Sequence, residues 1–131
     1  MYILRKVHDK VIWIRSEEFN IDNGSGTTED DVLAVPSVPY KILSARVVYQ
    51  EATDTAGAEG ATVSIGTTAG GVDIVAAVAL TAAQAVGAKQ ALTILTAEEH
   101  QVADQAIFIR HTGIASTEAG KYRVQLEIAL M

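Results

Sequence analysis

The chain has 131 residues, no cysteine, one tryptophan and a formal charge of −6, with 49% hydrophobic and 20% charged residues. That length suits one domain with a core of its own, and the lack of cysteine excludes disulfides, thiolate nucleophiles, iron–sulfur clusters and cysteine-based zinc. The acidic balance argues against binding the phosphate backbone of nucleic acid.

In chain order, charge arrives at Arg5, which breaks the apolar run a signal peptide needs. Tyr2 to Val7 and Val11 to Arg15 read as a hairpin around Asp9-Lys10. Phe19-Asn20-Ile21 leads into the flexible Asn23-Gly24-Ser25-Gly26 and the acidic Glu29-Asp30-Asp31. Val35-Pro36-Ser37-Val38-Pro39 follows, held extended by its prolines. Residues 1–40 are therefore expected to form an N-terminal hairpin and extended arm, and residues 41–131 a β-sandwich domain.

Strands dominate the remainder. From Ile42 to Glu51, Leu43, Ala45, Val47 and Tyr49 oppose Ser44, Arg46 and Gln50, the period of two that a half-buried strand shows. Ala61 to Ile65 repeats it, and Val72 to Leu80 and Gln90 to Leu95 follow it loosely. Ala106 to Arg110 is apolar on both faces, as in a deeply buried strand. Lys121 to Leu130 alternates most cleanly, with Tyr122, Val124, Leu126, Ile128 and Leu130 against Lys121, Arg123, Gln125 and Glu127. Thr81 to Gln90 and the capping-box spacing of Thr96-Ala97-Glu98-Glu99 read as single helical turns between strands. Ile74 to Ala88, the longest weakly polar stretch, falls short of the roughly 18 apolar residues of a membrane span. The expected fold is all-β: an antiparallel β-sandwich, jelly-roll-like, without a membrane segment.

No motif carries chemistry. His8, His100 and His111 are widely separated, and Glu98, Glu99 and His100 would fan out on a helix rather than converge on zinc. Asp22-Asn23-Gly24 with Glu29-Asp30-Asp31 departs from the EF-hand order. Asn23-Gly24-Ser25-Gly26 is no nucleophile elbow, and Gly66 to Gly71 lacks the lysine of a phosphate loop. No catalytic residue, metal or cofactor is expected. Residues 52–97 are instead rich in Ala, Thr, Val and Gly. Such small apolar surface lets other backbones approach and favours assembly over catalysis.

Val38-Pro39-Tyr40-Lys41-Ile42-Leu43-Ser44-Ala45-Arg46-Val47-Val48-Tyr49 makes a Val-Pro step into a long strand. Ala61 to Thr67, a Gly/Asp turn and Val72-Asp73-Ile74-Val75 follow. His111-Thr112-Gly113 and Ala119 to Leu126 close the pattern. This layout, over about residues 35–131, resembles small virion proteins of tailed bacteriophages, in particular capsid decoration (cement) proteins and head-fibre bases. The resemblance implies a non-enzymatic protein made in the host cytoplasm and carried on the capsid surface. It would bind the major capsid protein on the outer lattice, as a homotrimer, and stabilise the head. Contacts with capsid or neighbouring subunits are then expected from the arm, through Tyr2, Ile3, Leu4, Val11, Trp13, Val35, Pro36, Val38 and Pro39. The competing reading is a carbohydrate-binding or adhesin-type module using Trp13, a tyrosine and loop carboxylates. A third is another phage structural part, in the tail or neck.

Overall fold

The computed structural model describes residues 10–53, 61–81, 83–95, 100–115 and 120–131. Ten strands run through them: β1 (Lys10–Arg15), β2 (Phe19–Asn20), β3 (Thr28–Ala34), β4 (Tyr40–Tyr49), β5 (Thr62–Gly66), β6 (Val75–Ala79), β7 (Lys89–Leu92), β8 (His100–Gln101), β9 (Ile107–Thr112) and β10 (Lys121–Leu130). The described residues include no helix. Within the stretch read as a helical turn, residues 85–88 instead form a β-turn, in which Ala88 N–H donates to Ala85 C=O at 3.0 Å and Gly87 takes φ +84°. The capping-box segment from Thr96 to Glu99 and the first limb of the N-terminal hairpin lie outside the described residues.

Two antiparallel sheets form the sandwich. One runs β1-β10-β4-β7, with β2 added to β10 and β8 to β4; the other runs β3-β9-β5-β6. Setting aside the two-residue β2 and β8, the first long strand pairs with the last (β1 with β10), the second with the seventh (β3 with β9), the third with the sixth (β4 with β7) and the fourth with the fifth (β5 with β6). That nested order, rolled into two sheets, is the jelly roll. Residues 10–40 supply its first two long strands, so the sandwich draws on both sides of residue 40.

The alternation of β10 explains the layering: Tyr122, Val124, Leu126 and Ile128 are fully buried between the sheets, while the residues between them face outward. Each large aliphatic side chain so buried contributes about 1.5–3 kcal/mol. The core is completed by Ile42 and Val47 of β4, Val63 and Ile65 of β5, and Ile107 and Ile109 of β9. β9 alternates too, since Phe108 and Arg110 are only half-buried, so its apolar run does not mark a strand covered on both faces. Three tyrosines fill the remaining space and each hydroxyl is partnered, as burial requires. Tyr40 donates to the Gln105 carbonyl at 2.9 Å, Tyr49 to Gln90 Oε1 at 2.6 Å, and Tyr122 meets His111 Nδ1 at 2.6 Å.

One strand changes phase. Glu127 faces Ser44 but Ile128 faces Ile42, so Leu43 is an extra residue in β4. This β-bulge turns Leu43 outward, 39% exposed, while Ile42 is buried. The simple alternation that places Leu43 inside is corrected by that single insertion.

Candidate interaction surfaces

The outward positions of the larger sheet form a continuous face. Across it run the rows Val11–Ala129–Lys41, Trp13–Glu127–Ser44, Arg15–Gln125–Arg46–Ala91 and Arg123–Val48–Lys89. Trp13 is 47% exposed, and the Arg46 guanidinium lies over its ring at 4.3 Å from the centroid. Arg46 is held there by donating from Nε to Gln125 Oε1 at 2.7 Å, and Ser44 donates to Glu127 at 3.1 Å. Trp13 thus presents a rigid apolar edge inside a basic surround, a combination typical of binding surfaces.

A second surface lies at the edge where β1 and β3 come together. Ile12, Ile14, Ile128 and Leu130 form the floor of a groove of about 240 Å³, walled by Val35, Pro36 and Val38 of the β3–β4 connection. Between the two prolines the connection bends at Ser37 and Val38 instead of running extended, and both proline carbonyls accept: Pro36 from Asp104 N–H at 2.8 Å and Pro39 from Met131 N–H at 2.9 Å. Val35 and Val38 remain exposed.

The nine contact residues expected from sequence therefore separate. Val11 and Trp13 sit on the outer sheet face, Val35, Pro36 and Val38 on the groove, and Pro39 at the start of β4. Tyr2, Ile3 and Leu4 lie outside the described residues. The basic character of the outer face escapes a reading of net charge, which sums over the whole chain. It is nonetheless written in the strands, because the outward positions of β1, β4 and β10 carry Arg15, Lys41, Arg46, Lys121 and Arg123.

Carboxylates collect elsewhere. β3 begins Thr28-Glu29-Asp30-Asp31, and Glu17 N–H donates to Asp31 Oδ2 at 3.4 Å, which brings the β1–β2 connection alongside. Arg110 grips Asp30 with two bonds of 2.7 Å and holds its carboxyl below the usual range. With both side chains about one-third exposed, solvent screens the pair strongly. Asn23 donates to Glu29 at 3.1 Å. Among the described residues no three His, Asp or Glu side chains gather as a metal site.

Beneath β3, His111 is wholly buried and stacks on Phe19 at 5.6 Å between centroids. Burial pushes its pKa down, against the opposing charge of Glu29 and the Asn20 and Ile21 backbones. Burial raises the Tyr122 hydroxyl well above its ordinary value. A protonated phenol and a neutral imidazole share this bond, and the imidazole tautomer sets which of the two donates. This cluster is core rather than site.

The described strands so define an eight-stranded jelly roll, with two accessory two-residue strands. No protein-family model matches the sequence, and no curated protein matches it either. Among solved structures, a chain of the cyanophage Pam1 capsid asymmetric unit aligns with a TM-score of 0.57 and 18% identity, over 94% of this chain and 85% of its own. At that identity the likeness is one of fold.

Proposed function

We propose that the protein is a non-enzymatic structural component of a phage virion, a decoration subunit that binds the major capsid protein on the outer lattice and stabilises the head as a homotrimer. The observation that supports this most is the extent of the fold likeness. It takes in nearly the whole of both chains, so the similarity is to an entire small subunit of a capsid and not to one domain of a larger protein. A surface built around Trp13 and a groove of aliphatic side chains suits attachment by burial of area, without chemistry. Jelly rolls also serve lectins and other virion parts, so fold alone does not assign the role. Against the sugar-binding reading, Arg46 already covers one of the two faces of Trp13 on which a ring could stack.

The test is co-sedimentation of the purified chain with expanded shells assembled from the cognate major capsid protein alone. Saturable binding that raises the temperature at which the shells come apart is expected. Absence of binding to shells, with binding to tails or necks instead, would move the protein to another part of the virion.

A further inference from the structure

Among the described residues, two neighbouring surfaces differ in the sign of the charge they carry. The outward face of the larger sheet carries Arg15, Lys41, Arg46, Lys89, Lys121 and Arg123, against Glu127 as the carboxylate placed on it by the described strands. Lys121 is met at 3.6 Å by Glu51, itself more than half exposed, a contact that solvent weakens. Around the corner, the β3 edge and the β1–β2 connection carry Glu17, Glu18, Glu29 and Asp31, with Asp30 already engaged by Arg110.

Each surface also has an apolar anchor. Trp13, Val11 and Leu43 stand on the basic face, at 47%, 53% and 39% exposure, and Val32 on the β3 edge, at 50%. β3 is moreover an edge strand, whose outer backbone groups have no partner strand within the sheet. Charge complementarity sets orientation and speeds encounter, while burial of the anchors supplies affinity.

We propose that the basic face of one copy docks on the acidic β3 edge of a second copy, with Trp13 as the central anchor. Because the two surfaces differ, the contact is head-to-tail. Repeated around an axis it closes into a ring, and every subunit uses both surfaces. This deepens the homotrimer of the proposed function and rests on that reading for its oligomeric state. It makes no use of the capsid.

The test uses the full chain and two charge-reversal variants at exposed positions, R15E/K89E on the basic face and E17K/E18K on the acidic edge. Unchanged circular dichroism and melting temperature would establish that both fold. Mass by light scattering is then followed at about 50 mM and about 500 mM salt, where screening shortens from above 10 Å to a few ångströms. The wild type is expected to form a closed oligomer at low salt that loosens at least tenfold at high salt. Each variant alone is expected to be monomeric, and an equimolar mixture of the two to associate again through unlike pairs, which cannot alternate around a closed ring of three. A wild-type monomer at low salt, or variants that oligomerise as the wild type does, would overturn the proposal. Loss of shell binding by variants that still oligomerise would overturn it too, by giving the basic face to an acidic capsid surface. An oligomer that behaves as expected but fails to bind shells would instead leave this contact standing and reject the decoration role.

Discussion

His111 sits where a positive charge is unfavourable, wedged between Phe19 and Tyr122 with no exposed surface. An unfolded chain takes up a proton near pH 6.5, whereas burial holds the folded imidazole neutral to lower pH. Stability from this residue is therefore complete above pH 6.5 and is lost as pH falls from there towards the lowered folded value. The loss is up to about 1.4 kcal/mol per pH unit. Thermal melts between pH 7.5 and 5 should show the wild-type midpoint dropping more steeply than that of His111→Gln, whose amide can pair with the Tyr122 hydroxyl in either direction but does not titrate. Tyr122→Phe should cost about 1–3 kcal/mol at neutral pH, because Nδ1 is left buried without its partner. Tyr40 gives the alkaline counterpart. Its hydroxyl, pushed up to about 12 by burial and by the charge of Asp73, contributes stability that is present below pH 10 and lost as pH rises through 12.

At the scale of elements, the turn between β5 and β6 is built around one carboxylate. Asp73 accepts from the Thr67 amide at 2.9 Å and from its hydroxyl at 2.7 Å. Burial alone would raise its pKa, but these two donors prevail and lower it. Asp73→Ala should lower stability by about 1–2 kcal/mol, read as a reduced midpoint in urea. Gly66→Ala should be worse, since a Cβ there would lie 2.5 Å from the Gly71 backbone carbon, which no rotamer change relieves. The long strands were legible in the sequence because a period of two was strong in β4 and β10, where one face meets the core and the other water. β3 was not. Its Glu29, Asp30 and Asp31 look like a solvated loop, and only its position at a sheet edge allows three carboxylates in a row. The Leu43 bulge was invisible for a different reason: it is a relation between two strands 80 residues apart in the chain, and no local pattern encodes it.

For the whole molecule, the nested pairing makes residues 10–40 part of the roll. Removal of residues 1–39 takes away β1 and β3, exposes Leu126 and Ile128 along one sheet and Ile109 along the other, and should abolish cooperative melting. A truncation that still melts sharply would mean that the sandwich of residues 41–131 stands alone. The candidate surfaces were half legible. Trp13 and the Val-Pro segment drew notice by their chemistry, but the sequence could not tell that Val11 and Trp13 face away from the groove that Val35, Pro36 and Val38 enclose. The division of charge became visible only once strands distant in the chain were laid side by side.

The nested order also fixes how the protein bears load. Lys10 lies opposite Leu130, so the beginning of β1 and the end of β10 meet at one end of an antiparallel pair. A pull applied at Lys10 and Met131 would break the bonds of that pair singly, peeling β1 away as a zipper opens. A pull along the strands from opposite ends of the sandwich would strain the whole ladder together. The molecule is thus mechanically anisotropic, weak when drawn apart at that seam and resistant when stretched along its sheets. A subunit held across its faces by neighbours on every side would be loaded in its strong direction.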